Sequence, residues 1–225
     1  MATLYVVGTP IGNLEDITMR AFQILKDVDF ILCEDTRVTK KLLDHFDIQK
    51  PTISYHQHSN LQKIEDILGL LKDGKSLAVV SDAGTPGISD PGNQLVREVS
   101  DHLPEVSIIP IPGVSAVTAL SSISGLPMDK FVFLGFPPQK KKRKKFFEEV
   151  VSSSYPVVLY ESPHRIQKTL QELKEIDSAL YIIVGRELTK KFETVYRGNI
   201  RDVIGQIGPR AAKGEFALIV GKSNA

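Results

Sequence analysis

The sequence predicts an α/β chain of two domains, and three observations predict it. Short β-branched or aromatic runs alternate with stretches whose apolar residues recur at helical spacing. A turn-rich segment, Pro110-Ile111-Pro112-Gly113, interrupts the series near its middle. Beyond it the strand-like runs follow one another with fewer helical gaps. The boundary is therefore placed near residue 113, giving domains 1–113 and 114–225 with no internal repeat and no long linker.

In the first half the strand-like runs are Thr3–Val7, Phe30–Cys33, Thr52–Tyr55, Leu77–Ser81 and Val106–Ile109. Helical faces lie between them: Ile17, Ala21, Ile24, Leu25 and Val28, then Val38, Leu42 and Phe46, then Leu61, Ile64, Leu68 and Leu71. This alternation predicts βαβ units and a mainly parallel sheet covered on both sides. In the second half Ser115–Ser124 reads as a helix. Phe131–Leu134, Val157–Tyr160, Tyr181–Gly185, Glu193–Arg197 and Phe216–Val220 read as strands. The last three share one helix-like gap, Ile200–Ile207, which predicts a mixed, partly antiparallel sheet.

The composition, 42% hydrophobic and 24% charged over 225 residues, is that of an ordinary folded chain. A net charge of +1 excludes a surface that is basic all over, so any nucleic-acid binding must come from a local patch. The one cysteine, Cys33, excludes an intramolecular disulfide and a cysteine-built zinc site, and its apolar neighbours make it a small core residue. No apolar run approaches the ~18 residues of a membrane span. The chain enters its first strand without a basic lead or cleavage site, and a cytoplasmic location is expected.

The densest motif is Ser81-Asp82-Ala83-Gly84-Thr85-Pro86-Gly87-Ile88-Ser89-Asp90-Pro91-Gly92, between a strand and a helix. Ligands of open α/β sheets bind beyond the carboxyl ends of strands. Glycines let the backbone approach a ligand, and Asp82 can accept from a ribose hydroxyl or an ammonium. The plainer reading is a structural turn with Asp90 capping the next helix. Val7-Gly8-Thr9-Pro10-Ile11-Gly12-Asn13 also follows a strand, but it matches neither the dinucleotide fingerprint nor a phosphate loop. In Glu34-Asp35-Thr36-Arg37, Asp35 or Thr36 caps a helix, or the acids and Arg37 belong to a substrate site. His56 and His58 lack a third metal ligand nearby and read as surface or hydrogen-bonding histidines. The run Lys140-Lys141-Lys142-Arg143-Lys144-Lys145 is either a solvated helical face or a phosphate-contacting patch. Tyr160-Glu161-Ser162-Pro163-His164-Arg165 repeats the strand-to-helix arrangement, with Pro163 suited to a first helical turn, and Gly185 to Glu193 is a charged turn between strands.

Taken in order, these loops together with Ile111-Pro112-Gly113-Val114-Ser115-Ala116, Arg186 to Thr194 and Gly214-Glu215-Phe216 form a specific set. Across essentially the whole chain it resembles the ribosomal RNA branch of the tetrapyrrole-methylase-like, or class III, methyltransferases. The resemblance implies a cleft between the two domains holding S-adenosylmethionine, usually in a homodimer. It also implies 2′-O-methylation of a cytidine in the decoding region of 16S ribosomal RNA. By that likeness Pro10, Asp82, Gly84, Thr85, Ser115 and Ala116 contact the cofactor, as do Tyr160, Leu188 and Phe216. The sequence departs from the pattern at His56-Gln57-His58-Ser59-Asn60 and at Pro137-Pro138. Many relatives also continue into a C-terminal helical segment, so here the lysine run is expected to carry more of the contact with the 30S subunit.

A sulfonium donor carries an activated methyl and requires no metal, so the protein's task is alignment plus handling of the hydroxyl proton. Glu161 is the first candidate base and Asp35 the second. Lys190 or Arg165 is the candidate to stabilise a developing alkoxide or hold a neighbouring phosphate. Arg37, Lys140, Lys141, Lys142 and Arg143 are the candidate RNA contacts. Two alternatives are a class III enzyme acting on a small molecule such as a tetrapyrrole, and a non-catalytic RNA-binding module.

Overall fold

Along Leu77–Val80 successive side chains point into different apolar layers, Leu77 and Val79 into one, Ala78 and Val80 into the other. Only a strand buried on both faces gives that pattern. The computed structural model describes residues 2–56, 61–89, 92–208 and 213–222. The chain forms two compact units, Met1–Ser115 and Ala116–Ala225.

The first unit runs β1 (Thr3–Val7), α1 (Met19–Asp27), β2 (Phe30–Cys33), α2 (Thr36–His45), β3 (Thr52–Ser54), α3 (Leu61–Lys72), β4 (Leu77–Val79), α4 (Asn93–His102) and β5 (Ser107–Ile111). The sheet order is β3-β2-β4-β1-β5, and every neighbouring pair is parallel. Helices α1 and α2 bury Ala21, Leu25, Leu42 and Leu43 on one face, while α3 and α4 bury Ile64, Leu71, Leu95 and Val99 on the other. Two expected faces are rotated. In α2 the buried row is Thr39, Leu42 and Leu43, which leaves Val38 exposed, and in α3 Leu61 is exposed while Ile67 joins the core. Both shifts follow from an apolar stripe wider than a single i, i+4 row. Cys33 is fully buried, and burial pushes its thiol pKa up.

The second unit runs α5 (Ala116–Ser122), β6 (Val132–Gly135), α6 (Arg143–Ser152), β7 (Val157–Glu161), α7 (Ile166–Ile176), β8 (Leu180–Arg186), β9 (Thr194–Asn199), α8 (Ile200–Ile207) and β10 (Phe216–Lys222). Its sheet order is β6-β7-β10-β8-β9, parallel between β6 and β7 and antiparallel elsewhere. Helices α6, α7 and α8 cover one face through Phe147, Val150, Ile166, Leu170, Leu173, Ile200 and Val203. Leu120 of α5 packs at Gly185 on the other face, where an added Cβ would lie 2.9 Å from its Cδ1. Pro163 lies ahead of α7, whose cap residue is Arg165. Among the described residues no helix is long and apolar enough to cross a membrane.

Candidate active site

In the first unit the loops that follow β4, β1 and β5 are joined by backbone. A Cβ on Gly113 would lie 2.6 Å from the Gly8 carbonyl oxygen, so these two loops touch main chain to main chain and neither residue can carry a side chain there. The Gly8 N–H donates to Ile111 O at 3.0 Å. The Thr9 N–H donates to Gly84 O at 2.8 Å and the Gly84 N–H returns a bond to Thr9 O at 3.1 Å. The buried Thr9 hydroxyl donates to Ser81 O and Gly84 O, both at 3.3 Å, and the Thr85 hydroxyl donates to Val114 O at 3.3 Å. Gly84 reaches this position at φ +81°, where an L side chain is strained. Asp82 is exposed, and its Oδ1 accepts from the Asp35 N–H at 3.1 Å, tying the β2 tip to the same rim. Pro10, Asp82, Gly84, Thr85 and Ser115 are thereby gathered at neighbouring strand ends, with Ala116 opening α5. Asp90 and His58 lie outside the described residues, and His56 is exposed.

Asp35 caps α2 by accepting from the Arg37 N–H at 2.8 Å, and the Arg37 guanidinium grips the same carboxylate at 2.6–3.2 Å. These bonds hold its pKa down at about 2. The carboxylate is thus committed to the Arg37 guanidinium and to the start of α2, which argues against the expected role of Asp35 as a base. Arg37 stays exposed but is paired with it.

In the second unit the tips of β7 and β8 and the start of β10 lie at one end of the sheet's central strands, since Phe216 pairs with both Glu161 and Arg186. Here side chains make the framework. Glu161 has no exposed side-chain surface, and it accepts from Ser162 N–H at 2.7 Å, Thr169 Oγ1 at 2.6 Å and Arg165 Nη2 at 2.9 Å. A carboxylate buried and saturated in this way orients its donors and does not receive a substrate proton, which corrects its assignment as a base. Arg165 also donates from Nε to Ser162 Oγ at 3.0 Å and from Nη1 to Pro137 O at 3.4 Å, and it remains a quarter exposed. Tyr160 points to the opposite face, its ring against Phe133 and Phe136 at 5.0 and 5.5 Å. Phe216 is buried in the α6–α8 core, where its side chain packs under the sheet. Leu188 is buried against Gly185.

Lys190 Nζ donates to Glu187 Oε1 at 3.1 Å and Glu215 Oε2 at 2.9 Å. Burial alone would lower its pKa, but the bonds to Glu215 and Glu187 outweigh burial and raise it. The ammonium is thus charged and already compensated by two carboxylates, which corrects its assignment as the cation for a developing alkoxide. Of the basic run, Lys140, Lys141, Lys142, Lys144 and Lys145 are exposed. Arg143 is not: it is 6% exposed and turned inward to Glu172 Oε2 at 2.7 Å, Thr169 Oγ1 at 2.7 Å and Pro138 O at 2.9 Å, with its guanidinium 4.7 Å from the Phe147 ring. It is therefore removed from the RNA-contacting set.

The family model for tetrapyrrole (corrin/porphyrin) methylases matches residues 3–204. The chain belongs to the tetrapyrrole methylase family. Among curated relatives of this methylase, one from Hydrogenobaculum sp. (strain Y04AAS1) is 47% identical over 98% of this chain and 96% of its own length. One from Bacillus subtilis (strain 168) is 45% identical over 100% of this chain and 76% of its own. Both are named ribosomal RNA small subunit methyltransferase I. Similar solved structures include the methyltransferase CobJ, with a TM-score of 0.71 at 19% identity over 99% of this chain and 95% of that one. Cobalt precorrin-4 methyltransferase CbiF gives 0.70 at 18% identity over 97% and 94%. These two establish the shared fold.

As a tetrapyrrole methylase the chain is an S-adenosylmethionine-dependent methyltransferase. The first unit's rim fits that cofactor: Asp82 offers carboxylate oxygens to a ribose or an ammonium, and the Gly8, Gly84 and Gly113 backbone leaves no side chain in the way. Sequence reasoning missed Thr169, Glu172 and Glu215, which meet Arg143 and Lys190 only through chain reversal, and Glu187, which pairs locally with Lys190. It also missed the burial of Glu161 and Phe216, although a signal existed. Period two along β7 and β10 puts Glu161 with Val157 and Leu159, and Phe216 with Leu218 and Val220, on the core face.

Proposed function

We propose that this methylase transfers a methyl group to the ribose 2′-hydroxyl of a cytidine in 16S ribosomal RNA, in the decoding region, acting in the cytoplasm as a homodimer. The observation that carries this reading is identity of 42–47% over nearly the whole chain to relatives that share one ribosomal RNA methyltransferase name. The exposed lysines of the 140–145 run support a polyanionic acceptor.

S-adenosylmethionine supplies a sulfonium-activated methyl, so the residues of this chain have to hold and align. Asp82, fixed by the Asp35 N–H, anchors the polar end of the cofactor, while the Gly84–Thr85 and Gly113–Ser115 backbone bounds it. With Glu161 and Asp35 withdrawn as bases, Arg165 is the group placed to act on the acceptor. Three of its N–H directions are held by Glu161, Ser162 and Pro137, and the remainder of the guanidinium is available to a nucleotide oxygen carrying charge. The reaction on this reading is dominated by positioning, with the 2′-hydroxyl proton passing to solvent water as the oxygen is methylated.

Transfer of tritiated methyl from S-adenosylmethionine to 30S subunits, with mapping of the label to one alkali-resistant linkage, tests the proposal. Label on a base, or label accepted by a corrin precursor and not by RNA, overturns it.

A further inference from the structure

Pro137 and Pro138 lead into the lysine run, and their successive carbonyls are each held by an arginine. Arg165 Nη1 donates to Pro137 O at 3.4 Å and Arg143 Nη1 donates to Pro138 O at 2.9 Å. Behind them the two guanidiniums meet one buried cluster. Arg165 Nη2 reaches Glu161 Oε1 at 2.9 Å. Arg143 Nη2 donates to Thr169 Oγ1 at 2.7 Å, and that hydroxyl in turn donates a hydrogen bond to Glu161 Oε2 at 2.6 Å. Thr169 is fully buried, and Glu172 closes the outer side of Arg143 at 2.7 Å. A prolyl pair has no N–H with which to pin itself and a restricted φ, so carbonyl contacts are what fix its direction. Just before Arg143 the backbone takes φ +64° at Lys142, and the chain turns there from exposed lysines to a buried arginine.

We propose that Arg143, Thr169 and Glu161 form a positioning clamp on Pro137-Pro138 that sets the lysines at 140–142 and the Arg165 guanidinium as one preformed face for the phosphate backbone of single-stranded RNA. The inference rests on the RNA reading above and deepens it. Arg143 and Thr169 touch no substrate and act through the direction of the loop. Lysines on long flexible stems lose side-chain freedom when they grip phosphates, and a fixed loop lowers that cost. Without the clamp the same charges remain but no longer sit in one register.

The test is the salt dependence of binding of a single-stranded RNA oligonucleotide, since log K falls with log salt by about 0.7 per phosphate contacted. Thr169→Val changes no charge. It is expected to weaken binding about threefold to tenfold near physiological salt and to flatten the slope by more than one contact, with S-adenosylmethionine affinity within about twofold of the parent. Thr169→Ser keeps the hydroxyl and is expected to restore the slope although it also loses a methyl group from the core. Replacing Lys140, Lys141 and Lys142 by Gln sets the scale for losing the charges themselves. A Pro137→Gly, Pro138→Gly double variant loosens the loop from outside the buried cluster and is expected to flatten the slope as Thr169→Val does. A parental slope in either Thr169→Val or the proline variant overturns the clamp while leaving the RNA reading intact. Absence of salt-dependent oligonucleotide binding by the parent overturns the clamp, and the RNA reading falls with it only if methyl transfer to 30S subunits fails as well.

Discussion

The rims of the two units are held in opposite ways. In Met1–Ser115 the loops are joined main chain to main chain, through the Gly8–Gly113 approach and the paired Thr9 and Gly84 bonds. In Ala116–Ala225 the equivalent work falls to paired charge, with the buried Glu161 gathering Arg165 and Thr169, and the partly exposed Lys190 bridging Glu187 and Glu215. A backbone-built rim tolerates changes of side-chain chemistry but no added volume. A charge-built rim tolerates volume but not the loss of a partner, because a buried ion left alone keeps its desolvation cost. The first suits close packing around one small, constant ligand. The second suits a loop bearing lysines, whose direction matters more than its contour.

Removing Glu161 should break the comparison most severely. Glu161→Gln leaves Arg165 and Arg143 short of their common anion and is expected to cost about 3 kcal/mol of stability, read by urea unfolding. A variant of parental stability that has lost turnover would restore the carboxylate as a base. On the backbone side, Gly113→Ala drives a Cβ toward the Gly8 carbonyl at 2.6 Å. The expected cost is about 2 kcal/mol, together with weaker cofactor binding by calorimetry. An unchanged binding isotherm would mean that this contact does not shape the rim.

Lys190→Met sharpens the charge side at smaller amplitude. Glu215 is largely exposed, so the loss is expected to be below about 1 kcal/mol, and turnover should hold. Because the folded Lys190 pKa is raised, its contribution is present below the unfolded value and is lost as pH climbs through the folded one. Stability curves of parent and variant should therefore converge at strongly alkaline pH. A large fall in turnover at neutral pH would return the ammonium to the chemistry.

The smallest effect is expected at Asp35. Asparagine caps a helix as well as aspartate, so Asp35→Asn should keep α2 and change turnover less than about twofold. With the folded pKa depressed to about 2, whatever Asp35 contributes is present above its unfolded value and fades only as pH falls toward 2. Loss of turnover in Asp35→Asn with the cofactor still bound would make that carboxylate the base after all.

The parallel first sheet was legible because each βαβ unit writes its own signal in adjacent residues, an unbroken apolar run along Leu77–Val80 and helical rows such as Ala21 and Leu25. The mixed second sheet was legible from the scarcity of helices between the last strands. Within the candidate site, the gathering of Asp82, Gly84 and Thr85 followed from one contiguous motif at a strand end. Arg143 was not legible as a buried group, because six consecutive cations look alike in sequence and only one meets Glu172 and Thr169, residues 29 and 26 positions away. The sole arginine among lysines was the available hint, since a guanidinium suits a buried fork and an ammonium suits solvent.

By itself the sequence determined the fold class, the family and the strand ends that carry the ligand loops, since all three follow from local periodicity and ordered motifs. Tertiary structure alone decided which charges are spent on one another and which remain to meet a substrate. Ion pairing depends on how the chain folds back on itself, and a carboxylate in a motif reads the same whether it faces solvent or, like Glu161, lies buried beside two arginines.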